Sequence, residues 1–295
     1  MEKSRFLLVD GMALLFRSYY ATSVTGQFMV NGKGIPTNGV QGMLKHFFLA
    51  LQTFRPTHTA VCWDMGSRTF RSELYPAYKS NRPEPPEQLI PQFDLAKTVM
   101  DALNVPNIGI EGYEADDVIG TLAKRHCRDS EILILTGDRD ILQLIGGNIS
   151  VALLKKGFGN YQVYSEETFI REMGIPPAAL ADVKALMGDP ADHYPGVKGI
   201  GEKTALKLVQ QFSSVQGLLE NLDKVAKGVR AKIERDREML LLCRKLAEIR
   251  CDAPVHCPLS EAKIRIDWQK ASTVFLEHGF TGFGRFLRYG EASSA

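Results

Sequence analysis

Nine acidic residues have types and spacings suited to chemistry: Asp10, Asp64, Glu114, Asp116, Asp117, Asp138, Asp140, Asp189 and Asp192. Three of them come just after short apolar runs, in Val9-Asp10, Trp63-Asp64 and Leu135-Thr136-Gly137-Asp138. Asp138 and Asp140 alternate, so an extended backbone aims both side chains the same way. Glu114-Ala115-Asp116-Asp117 opens a helical pattern, where acids are electrostatically favoured. Asp189 and Asp192, spaced i and i+3, fall on a turn after a helix predicted over 178–187. Taken singly, each has an ordinary explanation, since an aspartate after a strand often caps the next helix. Together they imply more. Clustered carboxylates repel one another and raise each other's pKa unless cations neutralise them. An oxygen-rich, cysteine-free group of this kind suits Mg²⁺ or Mn²⁺. Two such ions, roughly 4 Å apart, can activate a water and steady the leaving oxygen of a phosphodiester. The expected chemistry is two-metal phosphoryl transfer to water.

Basic residues stand out in two places. The run Pro195-Gly196-Val197-Lys198-Gly199-Ile200-Gly201-Glu202-Lys203-Thr204-Ala205 is the most specific local pattern in the chain. Its glycines let the backbone make a tight hairpin whose amides, with the start of the next helix, can hold a phosphate. Lys198 and Lys203 add positive charge, and no side chain there suits base-edge reading. The expected contact is to a nucleic-acid backbone, independent of sequence. Tyr78-Lys79-Ser80-Asn81-Arg82 lies in a segment, 76–91, that holds five of the 14 prolines. Such stretches are commonly plain surface loops. The functional reading is a basic cover over the acids: Lys79 and Arg82 hold the reacting phosphate, and Tyr78 stacks on an exposed base.

These residues need a scaffold that gathers them. The runs at 6–9, 59–63 and 132–135 are apolar and suit buried parallel strands. Helical patterns at 42–54, 91–103 and 115–126 alternate with them, which argues for an α/β domain with a mainly parallel central sheet and flanking helices. Ligands bind beyond the carboxyl ends of such strands, so the three aspartates at those ends are expected on one edge. Segments 151–154 and 161–164, joined by 155–160, predict a hairpin. Ser165 then starts a helix that Gly174 stops. Beyond Ile175-Pro176-Pro177 the strand patterns disappear. The expected division is an α/β core over 1–175 and a helical region over 176–295 that ends in a C-terminal extension.

Composition sets the outer bounds. Of 295 residues, 44% are apolar and 24% charged, as in soluble globular proteins. Five cysteines without a CxxC exclude an ordinary Cys-ligated zinc site and argue for a reducing compartment. No apolar run approaches the roughly 18 residues of a membrane span. A soluble, cytoplasmic protein is expected. The net charge is only +2, but without the nine acids 25 acids face 36 bases. An acidic pocket in a basic body suits a metal-dependent enzyme acting on a polyanion. Residues 196–250 add to this, with 12 Lys or Arg against seven acids.

Seven segments in order resemble the 5′ nuclease family, which includes flap endonucleases and the N-terminal 5′ nuclease domain of bacterial DNA polymerase I. They are LLVDG (7–11), PTNGVQG (36–42), WDMG (63–66), TFRSELYPAYKSNRP (69–83), GYEADDVIG (112–120), TGDRDILQL (136–144) and LMGDPADHYPGVKGIGEKTA (186–205). The resemblance implies a PIN-like nuclease core, a helical arch over about 71–95 and an all-α helix–hairpin–helix subdomain. It implies a stand-alone, monomeric, Mg²⁺-dependent 5′-3′ exonuclease and flap endonuclease that leaves 5′-phosphates, with Mn²⁺ able to substitute. Its substrates would be DNA with 5′ flaps, nicks or ends, and RNA primer–DNA hybrids. It would act in replication and repair beside a separate DNA polymerase. One metal would be held by Asp10, Asp64, Glu114 and Asp116. The other would be held by Asp138, Asp140 and Asp192, with Asp116 shared and Asp117 and Asp189 auxiliary. Lys79 and Arg82 match the basic pair of the arch, and Arg71 and Tyr78 lie where relatives contact substrate. Gly196, Val197, Lys198, Gly199, Ile200, Gly201, Lys203 and Thr204 match the motif that grips duplex DNA and carries a K⁺ in relatives. One departure is His193, where many relatives have asparagine; an altered second metal site or altered flap-to-exonuclease balance would result. The rivals are a catalytically silent DNA-binding protein and a ribonuclease of a related α/β fold. The complete acid set opposes the first; the arch and hairpin oppose the second.

Overall fold

The computed structural model describes residues 3–24, 26 and 28–283. Six strands form one sheet: β1 (Ser4–Asp10), β2 (His58–Cys62), β3 (Asn107–Ile108), β4 (Ser130–Thr136), β5 (Ile149–Leu154) and β6 (Tyr161–Tyr164). Their order is β3-β2-β1-β4-β5-β6, parallel throughout except that β6 returns antiparallel to β5. The continuous apolar character of β1 reflects burial on both faces. Phe6 and Leu8 pack on one side of the sheet, Leu7 and Val9 on the other. The second face is covered by α1 (Gly11–Ser23), α2 (Asn38–Phe54) and α4 (Ile90–Ala102). The first is covered by α5 (Ala115–His126) through Val118, Ile119 and Leu122.

The arch expected over about 71–95 takes its two ends from α3 (Phe70–Leu74) and the start of α4, and its middle, residues 75–89, is turns and extended chain. Pro83, Pro85 and Pro86 explain this, because they supply no backbone donors and restrict the residues before them. The chain then continues through α6 (Glu166–Met173), α7 (Leu180–Met187), α8 (Glu202–Phe212), α9 (Val215–Glu220), α10 (Lys227–Arg235) and α11 (Arg237–Ala247). The core of the first sheet face runs unbroken into these helices through Val183, Leu186, Val197, Ile200 and Leu240. After α12 (Leu259–Ala262), the chain returns to the α/β half. The Ile264 amide donates to the Thr57 carbonyl at 3.0 Å, and Phe275 of α13 (Trp268–Glu277) packs in the second core. The far end of the expected helical region therefore rests on the nuclease-like half.

Candidate active site at the carboxyl edge of the sheet

Strands β2, β1 and β4 are neighbours, so the residues at their carboxyl ends meet at one edge. Asp10 is the last residue of β1, and Asp64 and Asp138 lie two residues beyond β2 and β4. One Asp10 oxygen accepts the Ala13 amide at 2.9 Å and so caps α1; the other accepts the Thr136 hydroxyl at 2.6 Å. That same hydroxyl accepts the Asp138 amide at 2.9 Å, and Asp138 Oδ1 accepts the Asp140 amide at 2.8 Å. A continuous hydrogen-bonded chain thus fixes three of the acids. Asp64 accepts the Ala115 amide at 2.6 Å, docking on the N-terminus of α5, whose first turn carries Asp116. Glycine is required at position 11, since a Cβ there would sit 2.7 Å from the Trp63 ring.

Two more acids come from a loop of the helical half. The Asp189 and Tyr194 backbones exchange bonds of 2.9 and 3.1 Å, closing the loop between Gly188 and Gly196. Both glycines have positive φ, and a Cβ on Gly196 would lie 2.2 Å from the Gly188 nitrogen. Oxygens of Asp140, Asp189 and Asp192 lie within 4.8 Å of one another.

The basic segment is pinned onto this loop. The Lys79 amide donates to the Asp192 carbonyl at 2.9 Å, and the Asn81 side chain to the Pro190 carbonyl at 2.9 Å. Lys79 Nζ reaches Glu114 at 2.7 Å, and Arg82 reaches Asp192 at 2.7 Å. His193 has φ 57°, a left-handed conformation that asparagine and histidine tolerate better than most residues. Its Nδ1 faces Ser80 Oγ at 2.7 Å and the Ala77 carbonyl at 3.0 Å. The departure at this position therefore touches the base of the basic segment.

Burial and crowding raise the acids' pKa values. Burial, with Asp138 and Asp64 nearby, pushes Asp10 up to about 6 against its bonds to Ala13 and Thr136. Burial, then Asp138 and Asp10, raises Asp116 well above the carboxylate range. Asp140 is pushed up to about 6 by burial and Asp138, despite Lys184. Asp64 is raised by burial and Glu114 against its Ala115 bond. An all-oxygen donor set under mutual repulsion fits hard divalent cations.

Three expected roles are corrected. Arg71 is 2% exposed and cannot contact DNA. Its guanidinium forms two bonds to Asp117, at 2.7 and 2.8 Å, and donates to the Leu246 and Glu248 carbonyls. Asp117, fully buried, spends its oxygens on Arg71 and on the amides of Glu114 and Arg250, leaving none for a metal. The Tyr78 ring is also buried, stacked beside Tyr194, so it cannot stack on a base. Its hydroxyl instead bridges Glu114 at 3.2 Å and Asp192 at 3.0 Å. One participant escaped the sequence reading. Lys184 of α7 lies 2.7 Å from Asp140 and 2.5 Å from Asp189. The available signal was a lysine on a short, largely apolar helix.

At the glycine-rich hairpin, Lys198, Gly199, Gly201 and Lys203 are exposed and Thr204 is half-buried. Gly196 is buried, and the Val197 and Ile200 side chains pack into the core. Only the backbone of these three could meet a ligand. The Lys198 amide is already committed to Asp236 at 2.9 Å, and Lys232 donates to the Gly199 carbonyl at 2.9 Å.

Comparison with known proteins gives consistent matches. The family description "5'-3' exonuclease, N-terminal resolvase-like domain" matches residues 5–174, and "5'-3' exonuclease, C-terminal SAM fold" matches residues 175–270. The chain is 52% identical to a 5'-3' exonuclease of Bacillus subtilis over 97% of each chain. It is 39% identical to DNA polymerase I of Bacillus caldotenax over 95% of its own length but 32% of that protein's. Among solved structures, T5 5'-exonuclease with bound zinc superposes with a TM-score of 0.70 at 22% identity, covering 83% of this chain and 89% of that one. The catalytic core of Rad2 in complex with DNA substrate gives 0.56 at 15% identity, covering 94% and 87%.

Proposed function

This chain belongs to the 5′-3′ exonuclease family, and from that premise we propose that it is a metal-dependent, structure-specific 5′ nuclease acting on DNA. The observation that carries the reading is the convergence of Asp10, Asp64, Glu114, Asp116, Asp138, Asp140, Asp189 and Asp192 beneath Lys79 and Arg82. Divalent ions held by these acids, Mg²⁺ first among them, would activate water and neutralise charge on the phosphodiester. The chain's own groups supply the rest. Asp10, Asp64, Glu114 and Asp116 would hold one ion. Asp140, Asp189 and Asp192 would hold the other, with Asp138 tied to the Asp140 amide. Lys79 and Arg82, now bound to Glu114 and Asp192, are placed to turn to a phosphate that enters between them and the acids. Lys198 and Lys203 hold the duplex backbone away from the reacting bond. Flaps, nicks, 5′ ends and RNA primer–DNA hybrids are the substrate class, with a separate polymerase as the functional neighbour. The chain spans about a third of the length of the polymerase I relatives, and the polymerase partnership is part of this proposal.

The test is digestion of 5′-labelled flap, nicked and blunt duplexes in Mg²⁺, beside the same reactions in EDTA. Short 5′-phosphorylated products are expected in Mg²⁺ alone. Product of equal yield in EDTA, or none from any substrate, would sink the proposal.

A further inference from the structure

The acids at the two expected metal positions differ in what neutralises them. At the Asp10–Asp64–Glu114–Asp116 position, only Glu114 has ion-pair partners among the described residues, Lys79 at 2.7 Å and the buried Arg71 at 3.3 Å, while Asp10, Asp64 and Asp116 have none. At the other, Asp140, Asp189 and Asp192 each have a cationic partner, and Asp138 beside them has none among the described residues. Asp140 and Asp189 share the Lys184 ammonium at 2.7 and 2.5 Å, and Asp192 holds Arg82 at 2.7 Å. The Lys184 ammonium is thus within hydrogen-bond reach of two of the three carboxylates that come within 4.8 Å of one another. A divalent ion shared by those oxygens would lie within a few ångströms of it, where like charges repel strongly. Lys184 is partly exposed, with 21% of its side chain accessible, so its long stem can swing away.

We propose that Lys184 is the resident counter-ion of the Asp140–Asp189–Asp192 position, and that a divalent ion fills that position only by displacing its ammonium. The two positions therefore fill in sequence, the Asp10–Asp64–Asp116 side first. This rests on the nuclease reading, because it presumes that both acid groups take metal. The role is one of control over metal occupancy, so its readout need not be cleavage.

The experiment is a Mn²⁺ titration of the full chain without DNA, monitored by calorimetry and by the electron paramagnetic resonance of free Mn²⁺. Wild type should bind one ion and then a second more weakly. Lys184→Met should tighten the second step on the order of tenfold and leave the first unchanged, while Lys184→Arg should behave as wild type. In EDTA, Lys184→Met should melt below wild type, because the acids lose a neutralising charge, and Mn²⁺ should raise its Tm by more than it raises that of wild type. A weaker or unchanged second step in folded Lys184→Met would show that the lysine only positions the acids, overturning the proposal. Two equal steps in wild type would overturn it without any variant. Wild type that binds no Mn²⁺ would overturn the nuclease reading as well.

Discussion

Asp116 and Asp117 are adjacent in sequence and have opposite roles. Asp116 faces the repelling cluster, and its pKa is raised; Asp117 points into the core and pairs with Arg71. Asp116→Ala should abolish cleavage, leave flap binding in Ca²⁺ intact, and leave the metal-free fold as stable or more so, since it relieves repulsion. Asp117→Ala should instead strand the buried Arg71 charge and cost about 3–5 kcal/mol of stability. Arg71→Ala should cost a similar amount. Urea denaturation in EDTA separates the two cases. Equal stability losses for Asp116→Ala and Asp117→Ala would contradict the division of roles.

On the proposed function, the two basic elements would meet the substrate at different stages of the reaction. The hairpin lysines are exposed, Lys198 in the turn and Lys203 in the first turn of α8, and would contribute the same attraction before and during reaction. Changing Lys198 and Lys203 together to Ala should weaken duplex binding for every sequence and lower the salt slope by up to about two units. Lys79 sits against Glu114 inside the site, where on the proposed function charge would develop on the phosphate. Lys79→Ala should cost about 10²–10³ in single-turnover rate even at saturating enzyme. A wild-type rate for that variant at saturation would reduce Lys79 to a binding residue. The Tyr78 hydroxyl belongs to the same element and couples Glu114 of one half to Asp192 of the other. Tyr78→Phe should therefore disturb the alignment of the halves more than DNA affinity, read as a fall in kcat with little change in binding.

Charge is segregated across the whole molecule: no Asp or Glu occurs from Gly11 to Trp63, while the acids crowd one edge of the sheet. That crowding makes the metal-free fold sensitive to pH. Asp10 and Asp140 titrate near 6 when folded, against an ordinary value of 3.8. The folded state thus binds protons more tightly than the unfolded chain. Its stabilisation is full below about pH 4 and is lost as pH rises through about 6. Asp64 and Asp116, also raised, act in the same direction. His46, lowered to about 4 by burial, opposes them, because below about pH 6.5 the unfolded chain takes up its proton while the folded imidazole stays neutral. The Tm in EDTA should fall between pH 5 and 7, and saturating Mn²⁺ should flatten or reverse the slope. A metal-free Tm that rises over that interval would refute the electrostatic account of the site.

The strands, their terminal aspartates and the glycine-rich hairpin were legible because they depend on local order. An apolar run buried on both faces announces a parallel strand, and the fold rule for such sheets gathers the residues at the carboxyl ends of β1, β2 and β4. Spacing also singled out Glu114, Asp140 and Asp192, and the family resemblance then assigned them to metal positions. What no local pattern carries is which of several neighbouring polar groups ends up paired and buried. Arg71 meets Asp117, 46 residues away, and the Leu246 carbonyl, 175 residues away. Tyr78 turns inward to join Glu114 with Asp192, and Lys184 enters the acidic cluster from a helix that reads as core. Adjacent residues on a helix point about 100° apart, so the sequence cannot say which of Asp116 and Asp117 looks into the site. The packing of α5 against α3 and the chain after α11 decides it, because a buried guanidinium there requires a carboxylate partner.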